Sequence, residues 1–432
     1  MKNGYITKQQ ITGGYNIFSI ALIYALICIG PLPVAGSIPV YVAFVLSCYR
    51  LLRYDVETYI LDMVVLLPLS NIYKFAPQTP SIYLYLILLG WIYYIFKGNV
   101  KIKGSLVLCA LYFLAVSGFL LDAYVSIVAS LLFLALYASN IKGDLVIKVA
   151  ILFSISVALS SLWAFIFKDT NYFEPYILEE MQLSKMSDLL RFKGLFVDPN
   201  YFGTFLLLAI TIVFQLYLCG SISMPALVAL VSVDVFAGLL TFSKSFLLTI
   251  AALMMLLCYF VWKNRSKAQA IGVSICLAIC LVLAFFGKIS AVSSILERFE
   301  GQSDMNDITT GRYELWERYY NEITSGVGRF FVGHGLDAPL LIQGSHNLYL
   351  ETMYYIGFVG LLMLIILTWK YFKPLIPSNI TIKRTEKLVG SLSIIVFVVL
   401  YCSLQGMFSF TTYVQLSIAV SMLYIPYINK KQ

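Results

Sequence analysis

The two histidines of the chain, His334 and His346, share one stretch, Thr309–Gly360, which reads TTGRYELWERYYNEITSGVGRFFVGHGLDAPLLIQGSHNLYLETMYYIGFVG. Arg312, Arg318 and Arg329 lie in it too. An imidazole changes protonation near neutral pH, so it can take a proton from a sugar hydroxyl. A guanidinium holds phosphate oxygens in a two-pronged fork. A base and several cations in one segment fit group transfer from a phosphorylated donor. His346 is the candidate base. Asn347 stands beside it, Glu351 follows within the next helical turns and can orient it, and the polar segment passes there into an apolar run. That is the membrane boundary, where a reactive group meets a lipid-borne substrate. An ordinary hydrogen-bonding role is the alternative for His346. It is the expected role for His334, which lies among glycines 326, 328, 333 and 335.

Three further groups qualify. Leu190–Gly203 carries Arg191, Lys193 and the turn Asp198-Pro199-Asn200. Asp198 and Asn200 can cap the helix that follows, with Pro199 fixing its entry; the functional reading brings Arg191 and Lys193 to the substrate. Thr241-Phe-Ser-Lys-Ser245 puts Lys244 at the mouth of a bundle cavity. Asp234 is an acid inside an apolar run, a costly position that calls for a partner or a wet cavity. For each single arginine the alternative is a solvated loop charge or contact with lipid headgroups.

The elements that hold these residues follow from composition. The 432 residues are 60% hydrophobic and 12% charged, with a mean hydropathy of +0.86. Long apolar runs with few charges are membrane spans. The runs are continuous, not alternating over ten residues, so a β-barrel is excluded and the fold is all-α and polytopic. Runs at about 17–35, 38–52, 59–76, 81–97, 104–121, 123–140, 146–167, 201–219, 224–241, 245–262, 268–287, 347–370, 387–406 and 411–428 predict about 12–14 spans in a single transmembrane domain, 1–432. The first run is too long for a secretory signal and is expected to be retained. Two long polar loops interrupt the series, 168–200 and 288–345. In the second, Leu315, Trp316, Tyr319 and Ile323 recur at helical spacing and predict an amphipathic helix near 311–324 that carries Arg312 toward the interface.

Cytoplasmic termini put Arg50, Arg53, Lys97, Lys101, Lys103, Lys142, the cluster at 263–267 and the cluster at 370–387 on the cytoplasmic side, as the positive-inside rule asks. Both long loops then lie outside, with Arg191, Lys193, Lys244 and Arg312. The net charge of +8 does not gather into a nucleic-acid stripe. The eight cysteines fall in or beside apolar runs, which argues for packing, not disulfides or a metal site. No Walker-type phosphate loop is present, and no cofactor is expected.

In order and spacing, several pieces resemble the O-antigen polymerase and ligase superfamily. They are Arg191…Gly194…Asp198-Pro199-Asn200…Gly203, Thr241-Phe-Ser-Lys244, Thr310-Gly311-Arg312…Trp316, Gly333-His-Gly335 and His346-Asn347…Leu350-Glu351…Gly357…Gly360. The resemblance spans about residues 190–360. It implies a metal-independent glycosyltransferase of the bacterial inner membrane, moving glycan from undecaprenyl diphosphate to an acceptor hydroxyl at the outer face. It maps Arg191 and Arg312 to the diphosphate and His346 to the loop histidine. The family often has arginine where this chain has Lys244, which puts that position's role in doubt. A polymerase, whose acceptor is a second lipid-linked repeat unit, is the expected branch. A ligase acting on lipid A-core is the alternative. Expected partners are the lipid-linked oligosaccharide, membrane lipid, a chain-length regulator and a flippase. A flippase is also the competing reading from another class. It would show matched broken helices and short loops, whereas this chain has two long loops and no half-to-half symmetry.

Overall fold

The computed structural model describes residues 16–31, 37–76, 79–100, 102–116, 121–170, 177–180, 190–196, 198–264, 312–335, 338, 345–375, 384–397, 399, 410–422 and 425. The apolar runs are helices. In order they are α1 (Ile17–Ile29), α2 (Ile38–Arg53), α3 (Val56–Leu66), α4 (Ile82–Phe96), α5 (Gly104–Val116), α6 (Leu121–Asn140) and α7 (Gly143–Phe167). After a short strand pair come α8 (Pro199–Leu218), α9 (Met224–Leu239) and α10 (Lys244–Asn264). The polar segment that follows contributes α11 (Arg312–Thr324) and α12 (Val327–Val332), and the chain closes with α13 (Leu348–Phe372), α14 (Arg384–Val396) and α15 (Phe410–Met422). The protein is an all-α polytopic membrane protein. Helices α7, α8 and α13 are each long and apolar enough to cross a membrane, and shorter apolar helices surround them. The expected span at 268–287 and most of the second loop lie outside the described residues.

The first loop contains structure that hydropathy does not foresee. Strand β1 (Leu178–Glu180) pairs antiparallel with β2 (Leu190–Phe192), placing Glu179 opposite Arg191. The third expected span is shorter than its apolar run. Helix α3 ends at Leu66 and a single 3₁₀ turn, Leu67–Leu69, follows. Pro68 lacks the N–H that would continue the helix.

Helix α8 is the axis of the bundle, with 94% of its apolar window buried. It packs on α7, α9, α10, α14 and α15. Helix α13 instead shows Phe358, Leu362, Ile365 and Trp369 on its outer side, as a lipid-facing span should. Between such helices the hydrophobic drive is weak, and close packing with interhelical hydrogen bonds must hold them. Tyr24 donates to Ser156 O at 3.1 Å, Ser156 Oγ to Val65 O at 2.6 Å and Tyr83 to Met63 O at 2.8 Å. The contacts join matching ends of helices. Lys103, ahead of α5, meets Lys370 and Tyr371 at the end of α13. Asn140, closing α6, donates to Asn99 O just past α4 at 2.9 Å. Gln215 near the end of α8 donates to Gly390 O, midway along α14. In the first two cases alternating spans bring the two ends to one side.

Two charges counted differently in the sequence turn out to be a pair. Arg50, expected among the cations of a cytoplasmic connection, is 2% exposed. It forms a two-pronged ion pair with Asp62, both N···O distances 2.7 Å. Its guanidinium also donates to Asn16 O at 3.1 Å and lies over the Tyr54 ring. Asp234 is fully buried in α9, and neither carboxylate oxygen has a hydrogen-bond partner among the described residues.

One break positions the site. Helix α13 leaves helical geometry at Gly357, where φ is 64°. A Cβ there would lie 2.4 Å from Phe331 O. The polar groups that a break frees must be satisfied inside the protein. They are: His334 N donates to Tyr354 O at 2.7 Å, Gly335 N to Tyr355 O at 3.0 Å and Tyr112 to Ile356 O at 2.6 Å. The glycine loop after α12 thus grips the outer part of α13.

Candidate active site

The end of the first loop is built around Arg191. Its Nε donates to Thr241 O at 2.9 Å and its Nη2 to Asn200 Oδ1 at 3.2 Å. One side chain therefore joins β2, the start of α8 and the turn between α9 and α10. The backbone reinforces this, with Phe192 N donating to Leu240 O at 3.0 Å and Lys193 N to Ile177 O at 2.8 Å. Gly194 turns the chain at φ 57°, with its backbone so close to Phe202 that a Cβ would lie 2.8 Å from that ring. Asp198 caps α8, accepting from Asn200 N at 2.6 Å and Tyr201 N at 3.3 Å. Asp198 and Asn200 thus hold the local architecture, and Lys193 is half-buried beside them.

Lys244 is the first residue of α10, following Ser243, whose hydroxyl accepts from Phe246 N at 3.4 Å. Arg312 is the first described residue of α11. A helix N-terminus already carries partial positive charge, so a cation there is unfavourable for the helix itself. Together, helix end and cation make a place suited to an anion.

Helix α11 buries Leu315, Tyr319 and Ile323. The Tyr319 ring packs edge-on to Tyr354 of α13, centroids 5.0 Å apart. Trp316, expected on the same apolar face, is only partly buried, because its indole N–H reaches out to Ser345 O at 2.8 Å. Arg312 lies one helical turn before Trp316, on the same flank. The next residue after Ser345 is His346. Its backbone is left-handed, φ 51°, and Asn347 then caps α13 by accepting from Tyr349 N at 3.0 Å and Leu350 N at 3.2 Å. Glu351, expected to orient His346, faces back from α13 onto the hydroxyl and backbone of Ser345 and the backbone of His346. It holds the turn that carries the imidazole.

Tyr201, near the start of α8, has its hydroxyl within electrostatic range of both Glu351 and Asp198. His334 is placed differently. It stacks on Tyr354 at 4.3 Å, and its Nε2 is 3.4 Å from Glu322, which also pairs with Arg329 at 3.0 Å. It fastens the glycine loop. Arg318 pairs with Glu314 on the exposed side of α11.

Residues 225–365 match the sequence profile of the O-antigen ligase family. That match, over part of the chain, supports the O-antigen polymerase and ligase superfamily. The match takes in Lys244, Arg312, His346 and Glu351, while Arg191, Lys193, Asp198 and Asn200 precede it. The match supports an O-antigen polymerase/ligase-type enzymatic function in a membrane. No curated protein and no solved structure matches the chain. Sequence reasoning missed Thr241, Tyr201 and Ser345 as neighbours of the candidate site residues. Thr241 and Ser345 act through backbone carbonyls, which any residue supplies. Trp316 carried a usable signal: a half-buried indole needs an acceptor for its N–H.

Proposed function

We propose that the protein is a polysaccharide polymerase of the bacterial inner membrane, with cytoplasmic termini and its site at the outer face. It transfers glycan from undecaprenyl diphosphate to a second lipid-linked repeat unit of an O-antigen or capsule. The reading is supported by the family match over residues 225–365, which takes in Lys244, Arg312, His346 and Glu351, and by Tyr201 near the start of α8 lying within electrostatic range of Glu351. Lys244 adds a cation at a helix start in the turn that Arg191 holds.

In the proposed reaction His346 takes the proton of the acceptor hydroxyl. The acceptor oxygen bonds to the anomeric carbon of the donor sugar as that carbon's bond to the diphosphate oxygen breaks. The electron pair leaves with undecaprenyl diphosphate. Arg191, Arg312 and Lys244 stabilise the charge that grows on it, in a partly dry cleft where fixed cations act most strongly. Lys193 adds to the field, and Asp198 and Asn200 hold Arg191's surroundings. Side-chain cations take this part without a metal, and the energy comes from the glycosyl–diphosphate linkage that breaks. A flippase would supply the units and a chain-length regulator would set when growth stops.

A ligase is the second reading, favoured by the description of the matched family. The same groups would then act on lipid A-core as acceptor. The deciding experiment is the glycan profile of a strain lacking the protein, read from the lipid-linked pool and the cell surface together. Single repeat units at the surface are expected. Full-length chains left on the carrier would make it a ligase. Units trapped on the cytoplasmic face would make it a flippase and overturn the mechanism.

A further inference from the structure

His346 holds a backbone conformation that its side chain does not favour. A non-glycine residue in the left-handed region is uncommon and is held there by its surroundings. The Asn347 cap fixes the chain after His346. What fixes it before is Ser345, which is fully buried. Its Oγ accepts from Asn347 N at 3.0 Å and donates to Asn347 O at 2.9 Å, folding the turn onto itself. Glu351 faces its hydroxyl and backbone. Its carbonyl is held by Trp316 Nε1 at 2.8 Å.

That last bond comes from a different element, and the element is firmly mounted. Leu315, Tyr319 and Ile323 on α11 are buried, and Tyr319 packs on Tyr354 of α13, the helix that Asn347 caps. The Trp316 indole is therefore a fixed arm. The N–H is the indole's single polar group. With the Ser345 carbonyl fixed on one side and the Asn347 cap on the other, the peptide planes flanking His346 are both set, and with them the direction of its Cα–Cβ bond.

We propose that Trp316 is a positioning residue for His346: its indole N–H holds the Ser345 carbonyl and so aims the imidazole at the acceptor hydroxyl. The inference rests on His346 being the base. It predicts that the N–H, more than the ring, matters for turnover. Trp316→Phe keeps most of the ring and loses the donor. Trp316→Gln loses the ring and keeps a donor of similar reach.

The test uses full-length protein in lipid nanodiscs, with lipid-linked repeat units extracted from the host as substrate and polymer formation as readout. Trp316→Phe is expected to lower kcat about tenfold, the worth of one hydrogen bond in the transition state. KM should stay within a factor of about two, and the acid limb of the pH–rate profile should shift. Trp316→Gln should recover most of the lost kcat. Unchanged kcat and pH profile in Trp316→Phe would overturn the proposal, as would equal losses in the Phe and Gln variants or a loss confined to KM. His346→Ala, run in parallel, separates two failures. Full activity there overturns the general base and this inference together. An inactive His346→Ala beside an unchanged Trp316→Phe overturns the positioning role alone.

Discussion

Two turns in this molecule are built alike and used differently. Among the described residues, Phe242 and His346 are the non-glycine positions with positive φ, each at 51°. Each is followed by a residue whose side chain accepts from the next helix, Ser243 for α10 and Asn347 for α13. Each is preceded by a residue whose carbonyl is held by a long side chain from another segment, Thr241 by Arg191 and Ser345 by Trp316. The residue in the strained position differs. Phe242 is an apolar ring, 5% exposed, and His346 is half-buried and able to carry a proton. The first turn spends its rigidity on packing and on seating Lys244. In the proposed reaction the second aims a base. The donors differ to match: a cation that also ties down Asn200, and a neutral indole that leaves the charge near the imidazole unaltered.

The sharpest way to break this comparison is to remove the two side chains. His346→Ala should lower polymer yield by about 10²–10⁴, the range for loss of a general base, with the protein still extracted as a folded species. Phe242→Ala should cost about 3 kcal/mol of stability, read from thermal unfolding, while turnover per folded molecule changes only a few-fold. An equal fall in turnover would make the first turn part of the chemistry. Next in size is Arg191→Ala. Loss of a cation at the leaving group should raise the barrier by about 2.7–4 kcal/mol, by analogy with an oxyanion-hole donor. Arg191→Lys should recover only part of this, since an ammonium cannot span Thr241 O and Asn200 in one plane. Smaller again are the caps. Ser243→Ala and Asn347→Ala should each cost about 1 kcal/mol in unfolding. A much larger cost at Asn347 would mean that its turn stores more strain than its twin. Smallest is Arg329→Ala, which removes an exposed ion pair to Glu322 and should change stability by less than about 1 kcal/mol and leave polymer length as it was.

The helical, membrane-spanning class was legible because long apolar runs leave the chain no other solution in lipid. Helix ends were less so. Pro68 stops α3 inside a continuous apolar run, and hydropathy does not register a missing N–H. The β1–β2 pair escaped because three-residue strands carry no alternation to detect. Arg50 was read as a topology signal because counting cations at helix ends assumes that they face water; its partner Asp62 lies on the next helix. At the site, residue types pointed to Arg191, Arg312 and His346, but not to what each touches. Arg191 and Thr241 are fifty residues apart. Periodicity placed Trp316 on the apolar face because it weighs the ring and not the N–H.

The Arg50–Asp62 pair bears on how the protein is made. Arg50 sits near the end of α2 and Asp62 in the body of α3, so the two helices form a hairpin. Entering lipid alone, a helix with a charge at its centre, as Asp62 is in α3, would face a penalty of about 2.5–3.5 kcal/mol on insertion scales. Entering together, the helices present the bilayer with a neutral, hydrogen-bonded couple. The ion pair would let α2 and α3 enter the bilayer together as a hairpin. A change at either residue should show first as failed insertion, before any effect on the finished enzyme.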